Sequence, residues 1–187
     1  MISVFMQPVR LLLQKLGALA SPEQSLFTPD GLRALLPGLS DAAFKTLLSR
    51  AASKGHLARV CRGIYLYEPS AAESGLMLFH AAARLRAGGL NYISLETALS
   101  DAGVISQVPI QRVTIMSSGR SNLISCGRWG KIEFVHTRQR AQELSGRLIY
   151  DPRCRLWRAD VAQALRDMRA THRSTGLVDW SAAHELV

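Results

Sequence analysis

The side chains best suited to recognising a ligand lie in residues 41–62, on one helical face and on the basic loop that follows it. In this stretch Phe44, Leu47, Leu48 and Ala51 recur at i, i+3, i+4 and i+7, which predicts a buried face. The opposite face carries small, polar and basic side chains, which let a helix enter a major groove and bind phosphates or base edges. We therefore predict a double-stranded DNA interface formed by Ala42, Lys45, Thr46, Ser49, Arg50, Ser53, Arg59 and Arg62.

These residues must be positioned by short helices and a hairpin. Leucines at helical spacing predict a first helix over residues 8–20, and Thr28-Pro29-Asp30 is a typical helix start, which predicts a second helix over Pro29–Leu36. A third helix is expected over Asp41–Lys54, between Ser40 and Gly55. Two strands, Leu57–Cys61 and Ile64–Tyr67, then flank Arg62-Gly63, where the glycine is free to take a positive φ. Residues 1–70 are therefore predicted to form a winged helix-turn-helix domain.

The remaining residues, 71–187, are predicted to form a second domain. Helices are expected over residues 73–87, from a Ser94 cap to about Ala102, over Arg158–Arg169 and after Asp179. Three strands are expected as a small antiparallel meander: Gln111–Met116, Leu123–Cys126 and Lys131–His136. The fold class is therefore α/β (α+β), with an N-terminal winged helix-turn-helix and a C-terminal α/β domain that holds a small antiparallel sheet.

The charge of the chain favours an anionic partner. The formal net charge is +9, and it divides into +4 for residues 1–70, +4 for residues 71–150 and +1 for residues 151–187. A positive net charge of this size is typical of proteins that bind nucleic acid or an anionic membrane surface. In the second domain Arg120 and Arg128 lie in predicted turns, where they are candidates for anion or nucleic-acid contact; solvated turn arginines are the simpler interpretation.

The sequence lacks the patterns of the common enzyme and metal classes. No GxSxG nucleophile elbow, GxxxxGK loop or DxD pair occurs in the sequence. A restriction-type nuclease would need an ExK motif, but Glu133 is followed by Phe134 and Val135. Cys61, Cys126 and Cys154 are widely spaced, and no Cys/His cluster suggests zinc. We therefore expect neither catalytic residues nor a metal or cofactor. Trp129, Trp157 and Trp180 are interpreted as packing anchors.

Residues 27–140 resemble the AbiEi-family antitoxins. The more distinctive part is residues 91–136, where Tyr92, Ser94, Ala98 and Leu99 match a YxSxxxAL-type helix start. The resemblance implies a winged-helix repressor that binds inverted repeats in its own promoter. It also implies an antitoxin that counteracts a nucleotidyltransferase toxin in a type IV system, where direct contact with the toxin is not required. The C-terminal region departs from the family's ATPEKAL-like stretch, with only Arg158-Ala159-Asp160, Ala164-Leu165 and Asp167 in its place.

Several alternatives stay open on the sequence. The chain could be a stand-alone winged-helix regulator with a sensing or protein-binding C-terminal domain, or a winged-helix module that binds other proteins. The longest apolar stretch near the start, Val9–Ala20, is short and interrupted by charges, which argues against a membrane segment. We expect a cytoplasmic protein that is a monomer or a weak dimer.

Overall fold

The chain divides into two units, residues 1–74 and 75–187, and the described part of the first unit contains three α-helices and a small sheet. The structure is a computed structural model that describes residues 7–70, 75–106 and 111–187. In the first unit the helices are α1 (Pro8–Leu19), α2 (Pro29–Ala34) and α3 (Asp41–Ser53), and the strands are β1 (Leu26–Phe27), β2 (Ala58–Cys61) and β3 (Ile64–Leu66).

Local capping explains where α2 and α3 begin. The Thr28 side chain accepts a hydrogen bond from the amide of Gly31, and the Ser40 side chain accepts one from the amide of Ala43. Gly55, with φ +74°, follows the end of α3. Both predicted starts are confirmed; α2 ends two residues earlier than predicted, at Ala34.

The core of the first unit lies where the three helices meet. The predicted buried face of α3 is confirmed, since Phe44, Leu47, Leu48 and Ala51 are all buried. They pack in one cluster with Leu12 and Leu16 of α1, Phe27, Leu32, Leu36 and Leu57. Burying this face fixes which side of α3 points to solvent.

The hairpin beside α3 belongs to a three-stranded antiparallel sheet with the order β1-β3-β2. Its tip is Arg62-Gly63, and Gly63 has φ +89°, a conformation that glycine adopts without a side-chain clash. The strand β1 was not predicted. Two residues are too few to show a periodic pattern, and Leu26 and Phe27 are held by pairing with Leu66 and Tyr65.

Among its described residues, 75–106 and 111–187, the second unit holds a mixed six-stranded sheet and four α-helices. The strand order is β6-β7-β5-β4-β9-β8, in which β5–β7 and β4–β9 are parallel and the other pairs antiparallel. The bounds are α4 (Met77–Leu85), β4 (Asn91–Ile93), α5 (Leu95–Asp101), β5 (Arg112–Ser117), β6 (Asn122–Ser125), β7 (Lys131–His136), β8 (Leu148–Asp151), β9 (Leu156–Ala159), α6 (Val161–Ala170) and α7 (Trp180–Glu185). The predicted α/β class is confirmed. The helix predicted over residues 73–87 corresponds to α4, Met77–Leu85, and residues 73 and 74 lie outside the described residues.

The sheet differs from the predicted meander in size and direction. Strands β6 and β7 form the predicted hairpin, but β7 then pairs with β5 in parallel, so β6 lies at the sheet edge. Residues 156–159 extend the sheet as β9, and the predicted helix over Arg158–Arg169 begins only at Val161. The predicted helix start is too early because Asp160 is the N-cap of α6: its side chain accepts a hydrogen bond from the backbone amide of Gln163.

Gly130 closes the turn between β6 and β7 at a point where no side chain fits. It has φ +114°, and a β-carbon added there would lie 2.1 Å from the carbonyl oxygen of Gln111. We expect Gly130→Ala to lower the free energy of unfolding by about 2–3 kcal/mol, because the backbone must shift. Gly127→Ala is the matched control: it also has a positive φ, +56°, but open space around it, and should cost about 1 kcal/mol. Urea unfolding of both variants checks this, and equal losses would contradict it.

Candidate nucleic-acid interface

The outer side of α3 is open to solvent. Ala42, Lys45, Thr46, Ser49, Arg50 and Ser53 are all exposed, as are Arg59 and Arg62 of the hairpin. The Thr46 hydroxyl donates to the carbonyl of Ala42 and the Ser53 hydroxyl to that of Arg50, so both lie close against the helix backbone. The structure therefore exposes all eight predicted residues on a surface made of α3 and the hairpin, but Thr46 and Arg50 lie on the side of α3 away from the hairpin.

This surface contains a groove of about 610 Å³ between α3 and the small sheet, which we call the wing groove. Lys45, Ser49 and Ala52 of α3 line one wall, and Arg59 and Tyr65 line the other. The start of α2, with Asp30, closes one end. Lys45 and Arg59 thus line the same groove from two different elements. A DNA phosphate backbone can bind in a groove with cations placed in this way.

A second groove, of about 500 Å³, lies on the other side of α3, against the start of α1. It is lined by Thr46, Arg50 and Lys54 together with Gln7, Pro8, Val9, Leu39, Ala43 and Leu47. Lys54 is absent from the predicted interface. Its spacing of i+4 from Arg50 was the available signal, and it was interpreted only as the end of the helix.

Two other basic side chains hold the turn between α2 and α3 instead of facing solvent. The Arg33 guanidinium donates to the carbonyls of Leu36 (2.6 Å) and Leu39, lies 5.5 Å from the ring centroid of Phe44 and pairs with Asp41 at 3.5 Å. The Lys15 ammonium donates to the carbonyl of Leu35 at 2.6 Å. The sequence analysis did not identify these roles, since nothing in the spacing shows which carbonyls a turn leaves without a backbone partner.

Arg33 is therefore expected to stabilise the turn that sets the angle of α3. We predict that Arg33→Met, which keeps the packing on Phe44 and removes the donors, lowers the free energy of unfolding by about 2 kcal/mol. Thermal unfolding of the variant measures this. The control is Arg10→Met on α1, where the cation is exposed, and a loss of the same size there would show that Arg33 has no special role.

The remaining charges of the first unit leave a basic surface. Of its eight basic residues, the other six are exposed: Arg10, Lys45, Arg50, Lys54, Arg59 and Arg62. The acidic residues at the wing groove are Asp30 and Asp41, and Asp41 is the partner of Arg33. Cations are thus in excess on the side of α3 that the DNA prediction requires.

In the second unit Arg120 and Arg128 are both exposed, but they lie at opposite ends of β6. The backbone carbonyl of Arg120 accepts from the guanidinium of Arg86, and the guanidinium of Arg128 lies 4.5 Å from the ring centroid of Trp129. The structure does not join them into one site. Each stays a separate prediction of an anion contact.

The residues that carry the AbiEi resemblance in the second unit lead to a buried polar cluster. Ser94 was expected to cap α5; instead its hydroxyl donates to the carboxylate of Asp167 at 2.7 Å, a bond to a charged acceptor that is stronger than a cap. The same carboxylate accepts hydrogen bonds from the side-chain amides of Gln163 (2.8 Å) and Gln139 (2.9 Å). Burial, together with the nearby Asp167 carboxylate, raises the pKa of Tyr92. Asp167 has no exposed surface, so this cluster acts inside the protein.

The thiols and possible metal ligands show no reactive arrangement within the described ranges. Cys61, Cys126 and Cys154 are all buried, and burial, with Asp151 beside it, raises the pKa of Cys154 to about 12. No group of three or more His, Cys, Asp or Glu residues is placed to hold a metal ion among the residues that the structure describes. In the same residues, no helix is long and apolar enough to cross a bilayer.

Most of the first unit is similar to a known protein family. Residues 14–67 match the family model described as "Transcriptional regulator, AbiEi antitoxin". The match covers the second half of α1, all of α2 and α3, and the hairpin, so the predicted AbiEi resemblance is confirmed there, as is the winged helix-turn-helix. It does not extend to residues 91–136. A search of curated proteins found no match.

Proposed function

We propose, with the AbiEi match of residues 14–67 as the premise, that this chain is a cytoplasmic autorepressor that binds inverted repeats in its own promoter. The observation that carries the proposal is the exposed face of α3, which lies beside a hairpin that bears Arg59 and Arg62. In this arrangement α3 enters the major groove through Ala42, Lys45 and Ser49. Arg59 and Arg62 bind the flanking phosphates or the minor groove, as the wing of such a domain does.

The second stripe of α3 extends the contact. Arg50 and Lys54 face away from the wing groove, toward α1. A helix lying in a major groove has a phosphate strand on each side, so the Lys45–Arg59 side and the Arg50–Lys54 side are each suited to one strand. This division explains why the cations are not confined to one edge of α3.

The second part of the proposal is an antitoxin activity against a nucleotidyltransferase toxin, of the type IV kind in which the two proteins need not bind each other. Its support is the match of residues 14–67 to the AbiEi antitoxin family and the Tyr92–Leu99 motif. In the sequence that motif resembles the same family, and in the fold Tyr92 and Ser94 reach the Asp167 cluster.

Binding to the chain's own upstream DNA tests the repressor. We expect a gel-shift or anisotropy titration to show tighter binding to the upstream duplex than to a shuffled duplex of equal length. DNase footprinting should protect two half-sites in inverted orientation. Equal affinity for both duplexes would contradict the proposal.

Co-expression tests the antitoxin. If a nucleotidyltransferase is encoded beside this chain, its expression alone should arrest growth, and the full chain should restore growth. Restoration should persist in a variant that has lost duplex binding, because that variant removes repression and leaves the second unit intact. Arrest that the wild-type chain does not relieve would contradict the antitoxin activity and leave the repressor untouched.

A further inference from the structure

Thr46 lies on the exposed face of α3, between the cations that are suited to the two phosphate strands. Lys45 lies on the side of the wing groove, and Arg50 and Lys54 lie on the side toward α1. Ser49 lines the wing groove and Thr46 lines the second groove, so the ridge between the two grooves passes both residues. When the cations on each side bind phosphates, this ridge faces the base edges in the major groove.

The hydroxyl of Thr46 is turned back onto its own helix. It donates to the carbonyl of Ala42, about one turn earlier, at 3.0 Å. Because threonine carries its hydroxyl and its methyl group on the same carbon, holding the hydroxyl against the backbone leaves the methyl group to point outward. Ala42 is exposed on the same side of α3, about 6 Å away along the helix axis, and its side chain is also a methyl group. The two residues therefore present methyl groups next to each other.

We propose that Thr46, together with Ala42, determines operator specificity by contacting the C5 methyl group of a thymine in each half-site. The inference rests on the proposed binding of α3 in the major groove. Thymine is the base that displays a methyl group in that groove, and contact with a threonine or alanine methyl is one way to recognise it. Thr46 thus helps to select the sequence, whereas the cations beside it bind phosphates, which every sequence carries.

The competing form of recognition is a hydrogen bond to the Thr46 oxygen from the amino group of an adenine or a cytosine. The geometry favours the methyl contact, because the oxygen is held against the helix at 3.0 Å from the Ala42 carbonyl. Asparagine and glutamine are the side chains that pair with adenine through two hydrogen bonds, and α3 contains neither. Ala42 adds only apolar surface beside Thr46.

The test removes the methyl group first from the DNA and then from the protein. Single thymines of the upstream duplex are replaced by deoxyuridine, which pairs in the same way and lacks only the C5 methyl group. The full wild-type chain is titrated by anisotropy. In each half-site that footprinting protects, we expect one or two thymines at which deoxyuridine weakens binding about fourfold, the effect of one buried methyl group.

Thr46→Ser keeps the hydroxyl and loses the methyl group. It should bind the thymine duplex about fourfold more weakly than the wild-type chain, and it should no longer distinguish thymine from deoxyuridine at one of these positions. Thr46→Val is the matched variant, because it loses the hydroxyl and keeps a methyl group. It should bind like the wild-type chain and retain the preference for thymine.

Ser53→Ala is the control on the same helix. Ser53 is exposed, and its hydroxyl also donates to a helix carbonyl, that of Arg50 at 3.1 Å, but serine has no methyl group to lose. This variant should leave the preference for thymine unchanged. The deoxyuridine series with the wild-type chain needs no variant, so it stays decisive if a substitution impairs folding.

The inference is overturned if Thr46→Val loses the preference for thymine while Thr46→Ser keeps it, because the hydroxyl is then the group that reads the base. It is also overturned if the upstream duplex is preferred over the shuffled duplex but no deoxyuridine in a half-site weakens binding. In that case the repressor proposal stands. Equal affinity for the upstream and shuffled duplexes overturns the repressor proposal and this inference with it, so the two failures are distinguishable.

Discussion

The variant Lys45→Glu/Arg59→Glu is expected to bind the upstream duplex about a thousandfold more weakly than the wild-type chain. Lys45 and Arg59 line opposite walls of the wing groove, and both are exposed. Each reversal removes a cation from a phosphate and places a carboxylate there, so attraction is replaced by repulsion. The slope of log Kd against log salt should fall by about two, one for each lost contact.

Fluorescence anisotropy over a salt series measures both quantities. The matched control is Lys131→Glu/Arg166→Glu, which makes the same charge change at exposed positions of β7 and α6 in the other unit. It should alter duplex affinity only slightly, through the net charge. If the double variant and the control lose equal affinity, the effect is one of total charge and the wing groove is not the interface. Unchanged thermal unfolding of both proteins shows that folding is not the cause.

The winged helix could be predicted from the sequence because its signals are local. Thr28, Ser40 and Gly55 mark helix ends through their own backbone contacts. The buried side of α3 follows from the spacing of four apolar residues. What the sequence did not show depends on partners far along the chain: β1 exists because Leu26 pairs with Leu66, and Arg33 acts on the carbonyls of a turn.

The second unit was harder to predict because its sheet is assembled from distant segments. Both β5 and β7 are predicted as strands, but the order of the sheet depends on parallel pairing between segments that no local turn joins. The second half of β9 falls within the helix predicted over Arg158–Arg169, because Arg158 and Ala159 run directly into the periodic pattern of α6. Ser94 has the features of a typical N-cap, and only the fold brings Asp167 within reach of its hydroxyl.

That contact leads to the largest stability effect expected in this chain. We predict that Asp167→Ala lowers the free energy of unfolding by about 3–5 kcal/mol. The carboxylate accepts from Ser94, Gln139 and Gln163, and its removal leaves three donors without their acceptor inside the protein. Ser94→Ala removes one donor and leaves the carboxylate two others, so its cost should be about 1–2 kcal/mol.

Urea unfolding followed by circular dichroism measures the loss of unfolding free energy in both variants. Which variant loses more is the more decisive result. A cluster organised around the carboxylate requires Asp167→Ala to cost more than Ser94→Ala, and requires the double variant to cost less than the sum, because both changes remove the same bond. Equal and additive losses would mean that Ser94 and Asp167 act separately. In that case the motif Tyr92–Leu99 would owe its spacing to helix packing alone, since Ala98 and Leu99 are buried as well.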